Sequence, residues 1–203
     1  MKEDNILDSI AKFKKAVIDL ARNPSFVHHE WYVEYHLKLV EKIALELCEI
    51  YHDADKGLVV TLVWLHDYGK VIGSDQTATI TEGRGQLHDA GFPSDFIDTA
   101  TSYAQLIDAK ERLESAPIEV KIVSSSDGAA HFVGPFLFFW WYENCDKPFT
   151  ELMEDNITKI MRDWEKKIVL EEVKEAFKER RMFLLEMLGR IPDTYFGAKL
   201  TDR

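Results

Sequence analysis

The chain has 203 residues, 46% hydrophobic and 30% charged, which predicts one globular domain with a sizeable core rather than a disordered chain. Its formal net charge of −11 argues against a general nucleic-acid binder, which would usually present a basic surface. The two cysteines, Cys48 and Cys145, show no CxxC spacing and are a poor basis for a disulfide framework.

The N-terminal sequence MKEDNILDSI has no apolar signal region. No stretch of the chain reaches the roughly 18 apolar residues that a membrane-spanning helix needs. We therefore expect a cytoplasmic protein without a membrane partner.

The first half of the chain shows mainly helical spacing of apolar residues. Helices are predicted over 3–22, where Asn23-Pro24 ends the pattern, and over 30–51. Residues 53–68 are almost wholly apolar from Leu58 to Leu65, and so short a run also suits a buried strand. Its length and its helical neighbours favour a helix.

The next segment, residues 71–86, is the least periodic part of the chain and holds three of the ten glycines, which predicts a loop or lid. A helix over 95–107 follows. Pro135 is expected to break the apolar stretch that contains FLFFWWY. We interpret this aromatic run as core, or as the interface of a homodimer, rather than as a base-stacking platform.

Two long amphipathic helices are predicted at the C-terminus, over 149–167 and 170–188, and we expect the lysines of the 160s to form a solvated face. No internal repeat or linker divides the chain. The predicted fold is therefore one all-α domain spanning 1–203, with a metal-binding core at about 24–145 and C-terminal helices at about 149–189.

A histidine and an aspartate, His66 and Asp67, end the apolar run TLVWLHDYGK. An ionised carboxylate in apolar surroundings is costly unless something compensates it, and a metal ion would compensate both side chains. His36 on the preceding helix and Asp127 in SSSDG could converge with them. Two imidazoles and two carboxylates suit one divalent ion such as Mn²⁺, Mg²⁺, Ni²⁺, Co²⁺, Fe²⁺ or Zn²⁺.

The order H…HD…D resembles that of the HD-domain superfamily of metal-dependent phosphohydrolases. YHLKLVEKIALEL is similar to the family's first-histidine helix, and LVVTLVWLHDYGK to the helix that ends in the His-Asp pair. IEVKIVSSSDGAAHF is similar to the segment that carries the last aspartate, and LEEVKEAFKERRMFLLEMLGRI to the C-terminal helix of bacterial and archaeal members. The resemblance implies an HD-type helical bundle in which His36, His66, Asp67 and Asp127 bind one divalent metal.

Two features differ from related sequences. Many branches hold a second metal with extra histidines between the His-Asp pair and the last aspartate, whereas here only His88 falls in that interval. Related sequences often read ADRL or ADAL at the last aspartate, where this chain reads SDGA. The first difference favours one metal, and the second leaves the contacts around Asp127 open.

Further residues are candidates for substrate binding. Lys70 either reaches a substrate phosphate, as in the LHDxGK context of related proteins, or is a cation near a helix C-terminus. Arg84 lies in the predicted loop and would add a second cation. His29 and His131 are spaced to share a helix face with His36 and Asp127 respectively, although a capping or structural role suits them equally.

The resemblance implies hydrolysis of a phosphoester or phosphoanhydride, with a small phosphorylated molecule, most simply a nucleotide, as substrate. Asp67 is expected to bind the metal and orient the attacking water, and Lys70 to offset charge on the phosphate; both are the predicted catalytic residues. A nucleic-acid duplex is not an expected partner. The alternatives are a metal or ligand sensor without turnover, and a diiron oxygenase of the same fold.

Overall fold

The computed structural model describes residues 2–24, 26–28, 31–109 and 113–189. All regular structure in these residues is helical, which confirms the predicted all-α class. A π-helical turn (Val33–Leu37) leads into α2, and a short 3₁₀ turn (Leu113–Ser115) precedes α7. The α-helices are α1 (Lys2–Ala21), α2 (Lys38–Cys48), α3 (Lys56–Leu65), α4 (Tyr68–Val71), α5 (Gln76–Ala90), α6 (Ser94–Ala109), α7 (Ile118–Ala130), α8 (Phe136–Glu143), α9 (Phe149–Lys166) and α10 (Glu171–Met187).

Helix α3 is the centre of the bundle, because α1, α2, α6 and α7 all pack against it. This position explains its nearly uniform apolar sequence, since every face of the helix is buried. The predicted helix, rather than a strand, is confirmed. Its N-terminus is capped by the Asp55 carboxylate, which accepts a hydrogen bond of 3.0 Å from the amide of Leu58.

The predicted loop over 71–86 is wrong, because α5 begins at Gln76. Asp75 caps this helix by accepting a hydrogen bond from the amide of Ala78 at 3.2 Å. One of the three glycines that weakened the helical pattern has a packing role instead. A Cβ atom at Gly83 would lie 2.6 Å from Leu65 Cδ1, so this glycine lets α5 approach α3 closely.

The C-terminal helices pack on the far side of α7. Pro135 and Pro148 stand directly before α8 and α9, where a missing N–H costs nothing. The aromatic run of α8 forms core only in part: Leu137 is buried, while Phe136 and Trp141 are half-buried and pack against the core. Helices α9 and α10 both contact α7, so they cover the segment that carries Asp127. Within the described residues, no helix is long and apolar enough to span a membrane.

Candidate metal centre

Irregular backbone presents three of the four predicted ligands. His36 lies in the π-helical turn, a distortion that is frequent at functional sites because it re-aims side chains. His66 and Asp67 occupy the break between α3 and α4, and Asp67 has φ −116° and ψ 18°, outside the helical region. Asp127 lies within α7, which is regular.

These four side chains come together in the structure and are almost fully buried. The Nε2 atom of His36 lies 3.7 Å from Asp67 Oδ2 and 3.4 Å from Asp127 Oδ1. The Nε2 atom of His66 lies 3.3 Å and 3.8 Å from the same two oxygens. Donor atoms from three separate stretches of chain therefore face one another around one point.

The tautomer of His66 follows from its partner. Its Nδ1 lies 2.7 Å from the carbonyl oxygen of Val63, which can only accept, so Nδ1 carries the proton of the neutral ring. When the ring is neutral, the lone pair of Nε2 points toward the two carboxylates. A carbonyl that fixes the far nitrogen in this way is the usual second-shell partner of a metal-binding histidine.

The donor atoms fit a divalent ion. His36 Nε2, His66 Nε2 and Asp127 Oδ1 are buried and have no hydrogen-bond partner among the described residues. Buried polar atoms without partners cost about 1–3 kcal/mol each, so a ligand that satisfies all of them is expected. Neighbouring ligands of an octahedral ion with bonds of about 2.1 Å lie about 3.0 Å apart and opposite ligands about 4.2 Å, which brackets the observed separations.

Each carboxylate divides its two oxygens between a lysine and the imidazoles. Asp67 Oδ1 pairs with Lys70 Nζ at 2.8 Å, while Oδ2 accepts a hydrogen bond from the hydroxyl of Tyr32. Asp127 Oδ2 pairs with Lys167 Nζ and leaves Oδ1 toward the histidines. Burial by itself would raise the pKa of both carboxyls, but the neighbouring lysines and histidines hold these pKa values well below the usual range.

The two histidines differ in pKa although both lie close to the same carboxylates. Burial lowers the pKa of His36 to about 4, so its ring is neutral at pH 7. Burial also opposes protonation of His66, but Asp67 and Asp127 outweigh it and raise the pKa of His66 to about 10. Metal binding at such a histidine releases a proton, which makes metal affinity pH-dependent.

A third imidazole adjoins the cluster. His131 Nε2 lies 3.4 Å from Asp127 Oδ1, and the ring stacks on His36 with the two planes 2° apart. His131 Nδ1 lies 2.8 Å from Oδ2 of the buried Asp163 on α9. Burial, reinforced by the nearby Lys159, lowers the pKa of His131 to about 3, so Nε2 presents a lone pair. His131 can therefore add a donor to the site.

Sequence patterns did not reveal which residues of α9 and its C-cap reach the site. The expectation of a solvated face for the lysines of the 160s is wrong at Lys167, which is only 9% exposed and binds Asp127. Asp163 is fully buried between His131 and Lys159, with its Oδ2 atom 3.1 Å from Lys159 Nζ. Both residues stand among exposed charged residues in an amphipathic segment. The sequence therefore does not distinguish the buried charges from the exposed ones.

A cavity of about 510 Å³ opens beside the cluster. Lys70 and His131, two of the predicted substrate contacts, line this cavity. Arg84 does not line it: this side chain pairs with Asp98 on α6. His88 is exposed at the end of α5, and His29 lies outside the described residues. Of the predicted substrate contacts, the structure thus brings Lys70 and His131 to one cavity.

The family model of the HD domain matches residues 33–130. This span begins at the π-helical turn and ends at the last residue of α7. It includes all four predicted ligands and excludes α8, α9 and α10. No curated protein and no solved structure matches the chain.

Proposed function

Since residues 33–130 are an HD domain, a fold used mostly by metal-dependent hydrolases, we propose that this chain is a metal-dependent phosphohydrolase. Its substrate would be a small phosphoester or phosphoanhydride, with a nucleotide as the favoured class. The observation that carries this proposal is the set of donor atoms of His36, His66 and Asp127 that lie buried near Asp67 without a hydrogen-bond partner among the described residues. A cavity lined by Lys70 and His131 lies beside them.

Chemistry at this site depends on the ion that the four ligands would hold. When bound, a divalent ion supplies Lewis acidity and lowers the pKa of a coordinated water to about 7. Asp67 keeps one carboxylate oxygen toward the imidazoles and the other toward Lys70, so it can both ligate and orient a water beside the cavity. Tyr32 fixes the first of these oxygens through its hydroxyl.

The cavity is cationic although the chain is strongly acidic. Lys70, Lys159, Arg162 and Lys167 line it, and the lysine side chains each offer three N–H donors, of which the carboxylates take only part. Lys70 is about half exposed, so its free protons can reach a bound phosphate. Preorganised cations of this kind stabilise negative charge that develops during phosphoryl transfer. The volume of about 510 Å³ suits a small molecule and not a polymer duplex.

The test is hydrolysis of nucleoside mono-, di- and triphosphates and of a generic phosphodiester, with Mn²⁺, Mg²⁺, Ni²⁺ or Co²⁺ supplied in turn. We expect release of phosphate or pyrophosphate with at least one ion. Asp67→Ala should abolish both activity and metal retention, whereas Asp89→Ala, an exposed carboxylate on α5, should change neither.

Lys70→Ala separates phosphate binding from metal binding. We expect this variant to retain its metal content by elemental analysis and to show a raised KM. An unchanged KM would remove Lys70 from substrate binding. Protein that holds metal and turns over no member of the panel would contradict the phosphohydrolase proposal and favour a ligand sensor.

A further inference from the structure

Two side chains that line the cavity, neither of them a metal ligand, each carry a buried polar atom with no hydrogen-bond partner among the described residues. Asn156 on α9 is only 1% exposed, and its Oδ1 atom makes no hydrogen bond among the described residues. Its Nδ2 donates to the carbonyl of Leu137 at 3.1 Å, which fixes the orientation of the amide. Trp140 on α8 has a buried Nε1 that is also without a partner. Both side chains line the cavity.

The donor and the acceptor that lack partners among the described residues indicate the kind of ligand that would satisfy them. A buried polar atom left unpaired is destabilising, so native structures rarely keep two of them without a reason. The Trp140 N–H requires an acceptor, and Asn156 Oδ1 requires a donor. The edge of a heteroaromatic ring such as a nucleobase carries these two functions side by side.

Aromatic side chains line the same cavity. Trp31 is held by Glu143, which accepts a hydrogen bond from Trp31 Nε1 at 2.8 Å, and it stacks on Phe139 with ring centroids 4.5 Å apart. Phe136 lies with its ring centroid 4.2 Å from that of His131. The aromatic side chains of Trp31 and Phe136 therefore line the cavity as far as the metal centre, and they offer flat apolar faces to a planar ring.

The order of residues along α9 relates these aromatic side chains to the end of the cavity beside the metal centre, where the phosphate would bind. Asn156, Lys159 and Asp163 follow one another at helical spacing, and the rise of 1.5 Å per residue puts Lys159 about 4.5 Å and Asp163 about 10 Å beyond Asn156 along the axis. Lys159 lies over the Phe136 ring at 5.4 Å and contacts Asp163, which holds His131. A nucleobase at Asn156 would thus be separated from the metal centre by a gap about the size of a sugar. Lys159 lies beside that gap.

We infer that Asn156 and Trp140, both outside the HD domain, form a subsite that recognises the nucleobase of a nucleotide substrate through one donated and one accepted hydrogen bond. This inference rests on the proposed function, because it names the part of the substrate that does not react. The α8–α9 region then determines ring specificity, while the HD domain supplies the ligands of the metal.

The test compares ligands that differ only in the ring. Binding of nucleoside 5′-monophosphates and of ribose 5-phosphate is measured by calorimetry on the full chain in EDTA, so that hydrolysis does not interfere. At least one nucleotide should bind about tenfold or more tightly than ribose 5-phosphate. Trp140→Phe keeps the ring and removes the N–H, so it should reduce that preference by about three- to tenfold without changing the affinity for ribose 5-phosphate.

The neighbouring tryptophan provides the matched control. Trp141 Nε1 already donates to the carbonyl of Leu152 at 3.3 Å, so Trp141→Phe should leave the nucleotide preference unchanged. Equal or absent binding of nucleotide and ribose 5-phosphate, or an equal loss for both ligands in Trp140→Phe, overturns the inference. A clear ring preference in a protein that hydrolyses nothing would contradict the proposed function alone.

Discussion

Lys167 binds the Oδ2 atom of Asp127 and so leaves Oδ1 of the same carboxylate facing His36 and His66. Lys167 follows the last residue of α9, outside the HD domain, whereas Asp127 lies inside it. The ammonium group also lies 3.9 Å from Oδ1 of Asp163. The C-terminal helices therefore fix the orientation of a ligand that the domain itself supplies.

The buried ion pair makes a prediction about stability. Lys167→Met leaves the buried carboxylate of Asp127 without its nearest cation, so the free energy of unfolding should fall by about 3–5 kcal/mol. Urea denaturation in EDTA measures this change. Lys174→Met removes the cation of an exposed ion pair with Glu171 on α10 and should change stability by less than about 1 kcal/mol. Equal losses in the two variants would contradict the buried role of Lys167.

The glycine after Asp127 explains the departure from the ADRL or ADAL pattern. A Cβ atom at Gly128 would lie 2.9 Å from Ile168 Cγ1 and 3.1 Å from Lys167 Cβ. Gly128→Ala should therefore push this segment away from α7 and destabilise the fold by about 1–3 kcal/mol, which exceeds the gain of up to about 1 kcal/mol from alanine in a helix.

Gly85 on α5 is the matched control for this substitution. A Cβ atom there meets nothing within 4 Å, so Gly85→Ala should raise stability by about 0.5–1 kcal/mol. Thermal and urea unfolding of the two variants give the comparison. A stabilised Gly128→Ala protein would show that the close approach of Lys167 to α7 is not required.

Metal binding should appear as a change in unfolding temperature. Because the four ligands are brought together only by folding, Mn²⁺ at 100 times its Kd should stabilise the protein by about 2.7 kcal/mol, and EDTA should reverse the effect. His36→Leu should lose this response. In EDTA it should be at least as stable as the natural chain, because both ring nitrogens of His36 lack hydrogen-bond partners among the described residues.

The exposed His88 serves as the control for the metal prediction, and His88→Leu should keep the full response to Mn²⁺. Differential scanning fluorimetry with and without the ion, supported by elemental analysis, measures both variants. A normal Mn²⁺ shift in His36→Leu would remove His36 from the ligand set.

A tyrosine–glutamate contact joins the HD domain to α10 and predicts a pH dependence. Burial, together with the hydrogen bond of 2.8 Å that the Tyr51 hydroxyl donates to Glu172, raises the pKa of Tyr51 to about 12. The folded protein thus keeps this proton to higher pH than the unfolded chain does. The contribution of the contact to stability should be complete below about pH 10 and should disappear as the pH rises toward 12.

Tyr51→Phe removes this contact, so the variant should be slightly less stable than the natural chain at about pH 8, and the difference should shrink by about pH 11. Urea denaturation at the two pH values measures the effect. Tyr142→Phe, at a position where the side chain is 76% exposed, should match the natural chain at both. A difference that does not depend on pH would exclude the protonation link.

The sequence predicted most of the helices correctly because local periodicity reports which face of a segment is buried. It failed over 71–86, where three glycines, among them Gly83, made the segment resemble a loop. An added Cβ atom at Gly83 would lie 2.6 Å from Leu65 Cδ1. Such contacts between elements cannot be recognised from local composition.

The sequence by itself determined the helical class and the candidate ligands His36, His66, Asp67 and Asp127, since apolar spacing and the order of the four residues can be read along the chain. Only the tertiary structure decided which charges of α9 and its C-cap are buried against these ligands, and which atoms of Asn156 and Trp140 lack partners among the described residues. The physical reason is that a charged or amide side chain has the same local pattern whether it faces water or a partner. Its role depends on contacts between residues far apart in the chain, which only folding brings together.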